Sequence, residues 1–255
     1  MGGLGNILFP LAYCYDLSIE RDLELVISYD HIGYVHTKAE EYKKSFLKGF
    51  KTITPEDLKS FHIIKESDFT FSNNLLPLGK DSFLHGYFQS EKYFKRNRKK
   101  VIDLVTSDVL NYSKAKDRYS KLVNQNQTTT SIHIRRGNYL SLKEYHVSLT
   151  PDYYYKAIEK INPDKVLVFS DDLNFCKETF SGAEFIFINP EKDIQDLYLM
   201  SMCDNNIIAN STFSWWGAWI NQKEERKVIA PTKWFGPKNS NIETKDVIPE
   251  EWIKV

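Results

Sequence analysis

The sequence predicts an α/β protein whose C-terminal half is built on a doubly wound parallel sheet. Beyond residue 130, five short apolar segments alternate with segments of helical periodicity, which is the pattern of consecutive βαβ units. Several of the apolar segments end in charged or small polar residues, at the edge where open sheets of this kind bind ligands. The crossovers between the strands are expected to be right-handed.

Composition and charge define the broad class of the protein. The chain has 255 residues, of which 42% are hydrophobic and 27% charged, as in a globular protein rather than a disordered one. Lys+Arg and Asp+Glu both number 34, so the net charge is zero. Bulk electrostatics therefore gives no reason to expect nucleic acid or an anionic membrane as a partner, and any recognition of anions must be local.

Cysteine usage and hydropathy indicate a cytoplasmic protein. The three cysteines, Cys14, Cys176 and Cys203, are widely separated and form no C-x-x-C, which argues against a disulfide framework or a zinc site. No apolar run approaches the roughly 20 residues that span a bilayer, and no basic and apolar leader precedes the first helical segment. We expect a cytoplasmic location without a transmembrane segment.

The N-terminal stretch Gly2-Gly3-Leu4-Gly5-Asn6 precedes a run of helical periodicity over residues 7–19. Glycines ahead of a helix allow close backbone approach to a ligand, and the helix N-terminus favours an anion. The third glycine of a dinucleotide fingerprint would fall on Leu8, which argues against a dehydrogenase. Such a loop normally follows a strand, so either the chain begins at its own loop or a short strand lies outside this sequence. A flexible N-terminus is the alternative interpretation.

The rest of the N-terminal half predicts strands over residues 23–28 and 83–89 and a charged helical region over 91–123, with Val101, Leu104 and Val105 on one face. The polar, uncharged residues 124–130 are predicted to be a linker. The predicted domains are residues 1–124, residues 125–235 and a C-terminal tail, 236–255, that packs back on the first domain.

The C-terminal half predicts the regular alternation described above. Strands are predicted at 131–135, 166–170, 184–188, 206–209 and 228–230. Helices are predicted to begin at the Thr150-Pro151 pair, which suits an N-cap and first helical residue, and over 175–180, 193–203 and 212–221.

Paired arginines, Arg135 and Arg136, stand at the carboxyl end of the first of these strands, between His133 and Asn138. Arginine is always charged, and its planar fork suits a phosphate. A surface arginine pair that closes a strand is the alternative, and only the neighbouring strand ends favour the functional interpretation.

Two other strand ends carry compatible residues. Asn210, Ser211 and Thr212 stand where a strand meets a helix that contains Ser214, an arrangement that suits a phosphate although an ordinary N-cap would look the same. Asp171 and Asp172 end another strand, and without a D-x-D spacing we interpret them as turn or ribose and base contacts in a metal-free site. Together the three strand ends indicate an anionic nucleotide ligand in the crevice beside the second domain. Trp215, Trp216 and Trp219 are predicted to be core.

Five ordered stretches resemble glycosyltransferase family 11, the α-1,2-fucosyltransferases that use GDP-fucose. They are G-G-L-G-N at 2–6, G-Y-F-Q-S-E-K-Y-F at 86–94, H-I-R-R-G at 133–137, F-S-D-D at 169–172 and N-S-T-F-S-W-W-G-A-W at 210–219. The resemblance implies a GT-B-like protein with two Rossmann-like domains facing across a cleft. It also implies inverting, metal-independent transfer of L-fucose from GDP-fucose to a galactoside hydroxyl, with no cofactor.

The chemistry of this reaction suggests roles for particular residues. Arg135 is expected to stabilise the departing diphosphate, and His133 and His146 are candidate bases, although the reaction can also proceed without one. The expected donor-binding residues are Arg135, Arg136, Asn138, Asp171, Asp172, Asn210, Ser211, Thr212, Ser214, Gly3, Gly5 and Asn6. Tyr87 and Gln89 are expected to bind the acceptor sugar, which could be lipid-linked and so bring the enzyme to a membrane surface.

Three departures from the family keep alternatives open. The family usually has aspartate at the position of Asn138, glutamine at that of Ile7, and a strand before the glycine loop. Another fucosyl linkage, a different GDP-deoxyhexose donor, and a catalytically silent protein that binds a GDP-sugar or a glycan are the alternatives.

Overall fold

The structure is a computed structural model that describes residues 2–29, 39–72 and 81–255. The chain divides into two compact units. Unit 1 lies within Met1–Asp108 and also includes Glu243–Pro249, and unit 2 comprises Val109–Ile242 and Glu250–Val255.

Unit 1 contains short parallel strand pairs and helices. Its elements are α1 (Leu4–Arg21), β1 (Val26–Ile27), β2 (Lys51–Thr52), α2 (Pro55–Leu58), β3 (His62–Lys65), β4 (Ser82–His85) and α3 (Arg98–Val105). Among the described residues, β1 pairs in parallel with β2, and β3 pairs in parallel with β4. The strands predicted at 23–28 and 83–89 are therefore present but shorter.

The glycine stretch is mostly helix rather than loop. Gly3 caps α1, and its carbonyl accepts the N–H groups of Asn6 and Ile7, so that Leu4 and the buried Gly5 lie inside the first turn. The helical prediction for residues 7–19 was correct but began too late.

Buried charge joins α1 to the start of α3. The Asp16 carboxylate is fully buried and accepts bonds from Arg96 Nε at 3.1 and 2.9 Å and from Asn97 Nδ2 at 3.0 Å. A bidentate guanidinium together with an amide satisfies a carboxylate that would otherwise be costly to bury. This contact fixes α1 against the segment that leads into α3.

Unit 2 is the predicted doubly wound sheet. Its elements are α4 (Val109–Leu122), β5 (Thr129–Ile134), α5 (Pro151–Ile161), β6 (Lys165–Ser170), α6 (Leu173–Thr179), β7 (Phe185–Phe187), α7 (Asp193–Met202), β8 (Asn205–Ile207), α8 (Thr212–Trp219), β9 (Val228–Ala230) and β10 (Ile253–Lys254). The order is β10-β9-β8-β5-β6-β7, and every neighbouring pair is parallel. The α/β prediction and its five strands are confirmed, and β10, from the tail, adds a sixth.

The units divide between Asp108 and Val109, ahead of the boundary predicted at residue 124. The physical reason is that α4 packs on α7, where the ring of Tyr112 meets that of Tyr198 and Gln195 Nε2 donates to Asn111 Oδ1 at 2.6 Å. The polar residues 128–130 are not a linker either, because Thr129 begins β5 and donates from its N–H to Asp204 Oδ2.

The predicted C-terminal tail is shared between the two units. Glu243–Pro249 belong to unit 1, where Asp246 accepts from Lys92 Nζ at 2.7 Å. The remaining tail residues belong to unit 2, where Ile253 and Lys254 form β10 and pair with β9.

The central strand of the unit 2 sheet is buried on both faces. All six residues of β5 are buried, as a parallel strand covered by helices requires. Trp215, Trp216 and Trp219 of α8 are 0 to 2% exposed, so the prediction that they form core is confirmed. In the described ranges, no helix combines the length and the hydropathy needed to cross a bilayer.

A buried amide network lies under the sheet beside α7. Asn206 Nδ2 donates to Ser131 Oγ at 2.7 Å and to the Met200 carbonyl at 2.8 Å, while Asn206 Oδ1 accepts from Asn221 Nδ2 at 2.8 Å. Asn206 is 1% exposed. Because each partner is also buried, loss of the Asn206 amide leaves these polar groups without a hydrogen-bond partner and out of reach of water.

We expect Asn206→Leu to lower the free energy of unfolding by about 2–4 kcal/mol, because it leaves several buried polar groups without a hydrogen-bond partner at once. Urea denaturation followed by tryptophan fluorescence measures the change, since all five tryptophans lie in unit 2. The exposed Asn126→Leu is the matched control, and an equal loss in both variants would contradict the network.

Candidate functional site

The candidate site of unit 2 lies at the carboxyl ends of β5, β6 and β8. The chain runs from β5 outward to β6 and β7, and then returns to the other side of β5 for β8, β9 and β10. The direction of winding thus reverses between β5 and β8, and ligands of open α/β sheets bind at such a reversal. The segments that follow β5, β6 and β8 begin with Arg135, Asp171 and Ile208.

Arg135 is held at this edge by two acceptors. Its Nη1 lies 2.7 Å from Asp171 Oδ2, and its Nη2 donates to Asn138 Oδ1 at 2.7 Å. The Arg135 side chain is 30% exposed. The strand end therefore presents a guanidinium whose plane is fixed from two sides while part of it remains open to solvent.

Arg136 is oriented by a carboxylate and an aromatic ring. Its Nε donates to Asp172 Oδ2 at 3.1 Å, and its guanidinium carbon lies 3.4 Å from the centre of the Phe175 ring. Asp172 also caps α6 by accepting the Phe175 N–H at 3.1 Å. These bonds, first from the Phe175 N–H and then from Arg136, lower the pKa of Asp172.

Asp171 joins the two arginine positions. One carboxylate oxygen accepts the Arg136 backbone N–H at 2.9 Å, while the other faces Arg135. The carboxylate occupies space beside Gly137, where an added Cβ would lie only 2.5 Å from Asp171 Oδ2. Glycine at 137 is therefore needed for this close approach.

The arginines retain hydrogen-bonding capacity after these contacts. A guanidinium carries five N–H donors, of which the bonds described use two on Arg135 and one on Arg136. Two arginines and two aspartates balance in charge, so the cluster is neutral before an anion arrives. An incoming phosphate can bind the remaining donors, and its charge competes with Asp171 and Asp172.

A ring stack extends the cluster away from Arg135. Tyr139 lies beneath the Arg135 guanidinium at 5.4 Å and stacks on His146 at 4.2 Å with an interplanar angle of 9°. The Tyr139 hydroxyl donates to the Asn210 carbonyl at 3.1 Å. Burial, followed by the charge of Arg135, lowers the pKa of His146, so the imidazole is neutral at neutral pH.

His133 occupies a deeper position on β5. It is 7% exposed, and its ring meets Phe213 edge-on at 5.6 Å. Its Nδ1 has no hydrogen-bond partner among the residues that the structure describes. Burial, and secondarily the charge of Arg135, lowers the pKa of His133 to about 4. Its side chain is therefore neutral and poorly accessible.

The β8–α8 junction holds two loops through Asn210 and places Ser211 at the N-cap of α8. Asn210 donates from Nδ2 to the carbonyls of Val147 at 3.0 Å and Trp234 at 2.9 Å, so it ties two loops to the strand end. The Ser211 side chain makes no capping bond at the start of α8, and Ser214 Oγ instead donates back to the Ser211 carbonyl at 3.2 Å. Within the described part of the chain, the first turn of α8, which begins at the half-buried Thr212, therefore has no side-chain cap.

In unit 1 the predicted residues of the glycine stretch and of the 86–94 stretch meet. Gln89 Nε2 donates to Asn6 Oδ1 at 3.0 Å, and Gln89 is 6% exposed. Gly3 has no neighbouring atom within 4 Å of an added Cβ, whereas Gly5 is buried in α1. Of the three predicted donor contacts in this stretch, Gly3 and Asn6 are thus more accessible than Gly5.

A carboxylate shapes the turn that presents Tyr87. Glu66 accepts the N–H groups of Tyr87 at 2.6 Å and Phe88 at 3.0 Å. Phe88 has a φ of 51°, a left-handed conformation that is costly for a bulky residue and needs support from its surroundings. Tyr87 is left 43% exposed, as an accessible aromatic surface requires.

Sequence reasoning missed three residues that orient the predicted ones: Tyr139, Phe175 and Glu66. Signals for the first two were present, because Tyr139 stands four residues after Arg135 and Phe175 three after Asp172, within the same strand-end segments. No local signal pointed to Glu66, whose contacts are 21 and 22 residues away. No group of three or more His, Cys, Asp or Glu suited to a metal occurs in the part of the chain that the structure describes.

The buried His133 should make the protein less stable in acid. Its pKa is about 4 when folded and about 6.5 when unfolded, so its contribution is present above pH 6.5 and is lost as the pH falls toward 4. We expect a loss on the order of 1–2 kcal/mol between pH 8 and pH 5 from this group. Urea denaturation at both pH values should show a smaller loss in His133→Gln than in the wild type.

The exposed His62→Gln, in β3, controls for the loss of an imidazole as such. An unchanged pH dependence in His133→Gln would contradict the assignment.

Comparison with known proteins finds relatives among glycosyltransferases of Escherichia coli. The chain is 35% identical to the O-antigen biosynthesis glycosyltransferase WbnK of Escherichia coli over 212 residues, covering 78% of this chain and 69% of that protein. It is 28% identical to an α-1,2-colitosyltransferase of Escherichia coli, covering 100% of this chain and 96% of that protein.

The solved structure of the α-1,6-fucosyltransferase NodZ, soaked with GDP-fucose, shares the fold. Its TM-score is 0.51 at 13% identity, covering 86% of this chain and 89% of that chain. The fold is thus of the GT-B type, as the resemblance implied. The model of glycosyl transferase family 11 matches residues 36–255. The chain therefore belongs to glycosyltransferase family 11.

Proposed function

We propose that the protein is an inverting glycosyltransferase that moves L-fucose from GDP-fucose to a galactoside hydroxyl, with an α-1,2 linkage, in glycan or polysaccharide biosynthesis. The observation that carries the proposal is the arginine pair at the reversal of the unit 2 sheet, which retains unused N–H donors. These arginines stand in one of the five stretches that resemble the fucosyltransferases of this family.

The chemistry follows from the charge that the donor releases. As the acceptor oxygen bonds to fucose C1, the bond from C1 to the phosphate oxygen breaks and its electron pair leaves with GDP. Fixed cations aimed at this charge are often the largest catalytic contribution. Arg135 and Arg136 take this role, and the uncapped first turn of α8 near Ser211 and Thr212 holds phosphate oxygens.

The acceptor hydroxyl loses a proton in the same step. His146 suits the role of base better than His133, because His146 is half-buried, neutral and stacked beside Arg135 through Tyr139. His133, in contrast, is almost fully buried. Tyr87 and Gln89 of unit 1 are the candidate acceptor contacts.

Several further features belong to this proposal. The reaction needs no metal and no cofactor, and it takes place in the cytoplasm, in keeping with three unpaired cysteines. The partners are GDP-fucose and a galactose-containing glycan, which when lipid-linked would bring the protein to a membrane surface. Nucleic acid is not a partner.

A second donor is favoured by a specific observation. The α-1,2-colitosyltransferase is aligned over this whole chain, and colitose is also a deoxyhexose. Another GDP-deoxyhexose donor, or another fucosyl linkage, is therefore the first alternative. A silent protein that binds a GDP-sugar is the second, because Asn138 supplies an amide where the family usually has a carboxylate.

A donor comparison tests the proposed function. The purified protein is incubated with GDP-fucose, GDP-colitose or GDP-mannose and a small panel of β-galactosides, and released GDP is measured with and without chelator. We expect GDP release with GDP-fucose, dependent on a galactoside and unaffected by chelator. Faster release with GDP-colitose would favour the first alternative, and GDP binding without release in every case would favour the second.

Removal of the Arg135 guanidinium tests the proposed mechanism. We expect Arg135→Ala to lower kcat by about 10²–10³-fold, because one preorganised donor set at the leaving group is lost. Arg135→Lys should recover only part of the rate, since an ammonium cannot hold Asp171 and Asn138 in one plane.

The exposed Arg21→Ala at the end of α1 is the control for loss of a positive charge. Equal rates in Arg135→Ala and Arg21→Ala would remove Arg135 from the mechanism.

A further inference from the structure

Unit 2 exposes three large apolar side chains on one short loop between β5 and α5. All six residues from 140 to 145 are exposed, and among them Leu140, Leu142 and Tyr145 are 37, 39 and 42% exposed. The proposed reaction assigns no role to these three side chains. A single apolar side chain at a surface is common, but three within six consecutive residues need an explanation.

Backbone hydrogen bonds order this loop as a series of turns. The Leu140 N–H donates to the Arg136 carbonyl at 3.0 Å. The N–H groups of Tyr145 and His146 donate to the Leu142 carbonyl at 2.9 and 3.0 Å. Because the backbone is bonded in this way, the apolar side chains are held outward.

A second loop, residues 233–240, bonds to the first, and together with residues 137–146 it forms what we call the loop pair. The Gly236 N–H donates to the Tyr145 carbonyl at 2.9 Å. An added Cβ at Gly236 would lie only 2.7 Å from the carbonyl oxygen of Glu144, so this close approach needs a glycine. The two loops therefore support each other.

Asn210, at the end of the β8 segment, anchors the loop pair to the sheet. Its side-chain amide donates to the carbonyls of Val147 and Trp234, and its own carbonyl accepts the Tyr139 hydroxyl. Both loops thus start from fixed positions at the carboxyl edge of the sheet. The exposed apolar side chains are presented on a rigid support.

The charges of the loop pair are mostly positive. Its charged residues are three exposed lysines, Lys143, Lys233 and Lys238, and one carboxylate, Glu144. Glu144 pairs with Lys238, whose ammonium also lies 5.2 Å from the centre of the Tyr145 ring. The whole chain has no net charge, so the loop pair carries a local excess of positive charge beside exposed apolar side chains.

This combination fits the surface of an anionic bilayer better than it fits a protein or a sugar. At such a surface, apolar side chains enter the boundary between headgroups and acyl chains, and lysines remain at the phosphates. A stable contact with another protein takes about 20–30 residues on each side, many more than the exposed run offers. A sugar is bound through hydrogen bonds to its hydroxyls, which leucine side chains do not provide.

We propose that the loop pair is a membrane-docking surface for anionic phospholipid. Leu140, Leu142 and Tyr145 enter the boundary between headgroups and acyl chains, and Lys143 contacts the phosphates. The protein thus reaches a bilayer through its own residues, without a lipid-linked acceptor. Because the loop pair lies at the carboxyl edge of the sheet, docking brings the edge that carries Arg135 close to the lipid surface.

Vesicle binding tests the proposal with the full chain. Cosedimentation is measured with vesicles of equal parts phosphatidylglycerol and phosphatidylcholine and with vesicles of phosphatidylcholine alone, both free of glycolipid. We expect about fivefold or more stronger binding to the anionic vesicles. Leu140→Ser combined with Leu142→Ser should weaken that binding by about five- to tenfold, because less apolar surface leaves water. Lys143→Gln should weaken it by about fivefold on the anionic vesicles alone.

The matched control removes two apolar side chains from another surface of unit 2. Val109 and Leu110, at the start of α4, are 77 and 66% exposed and follow Asp108 rather than a lysine. Val109→Ser combined with Leu110→Ser should leave vesicle binding unchanged. Urea denaturation followed by tryptophan fluorescence verifies that every variant is folded.

Three results would overturn the proposal. The first is no binding of the unmodified chain to anionic vesicles, and the second is unchanged binding when both leucines are replaced. The third is equal binding to the two kinds of vesicle, which would exclude recognition of anionic lipid. A dimer seen by light scattering and lost in the leucine variant would identify a second copy of the chain as the partner instead. None of these readouts depends on GDP release, so they are separate from the test of the proposed function.

Discussion

The Asp171 carboxylate is the contact on which the unit 2 site depends. It accepts the Arg136 N–H and pairs with the Arg135 guanidinium, so one side chain from the end of β6 fixes two consecutive residues at the end of β5. Because β5 and β6 are neighbouring parallel strands with matched register up to Ser170, this geometry is set by the sheet itself. Gly137 provides the room that the carboxylate needs.

In this arrangement the two arginines lose part of their attraction for an anion and gain a fixed orientation. Each arginine is already paired with a carboxylate, so the diphosphate of the proposed donor would gain less electrostatic attraction than it would from free guanidinium groups. In return the donors are oriented before the ligand binds, which reduces the entropy that binding must overcome. The ring of Tyr139 also restricts the Arg135 guanidinium, and the ring of Phe175 restricts that of Arg136, because each guanidinium lies over the face of its ring. Fixed donors that need no reorganisation favour the transition state over the ground state.

The sequence allowed a feature to be predicted where one strand and the residues directly after it define that feature. The strand ends at Arg135, Asp171 and Asn210 could be placed because buried parallel strands are apolar and short, and parallel strands share one edge. The division between the units at Asp108 could not be predicted, because it depends on the packing of α4 against α7, two helices that are distant in sequence. The role of Asn210 was also hidden, because its bonds to Val147 and Trp234 come from two other loops.

Asn138 need not mark a silent protein when its contacts are considered. Its amide oxygen accepts from Arg135 Nη2, and Asp171 already provides a full negative charge on Nη1 of the same guanidinium. A second carboxylate at 138 would place two anions on one cation and would repel a diphosphate more strongly than an amide does. The neutral amide orients Arg135 while it leaves more of the guanidinium's positive charge for a ligand. The substitution therefore adjusts the charge balance of the site without removing the guanidinium that, in the proposed mechanism, stabilises the leaving diphosphate.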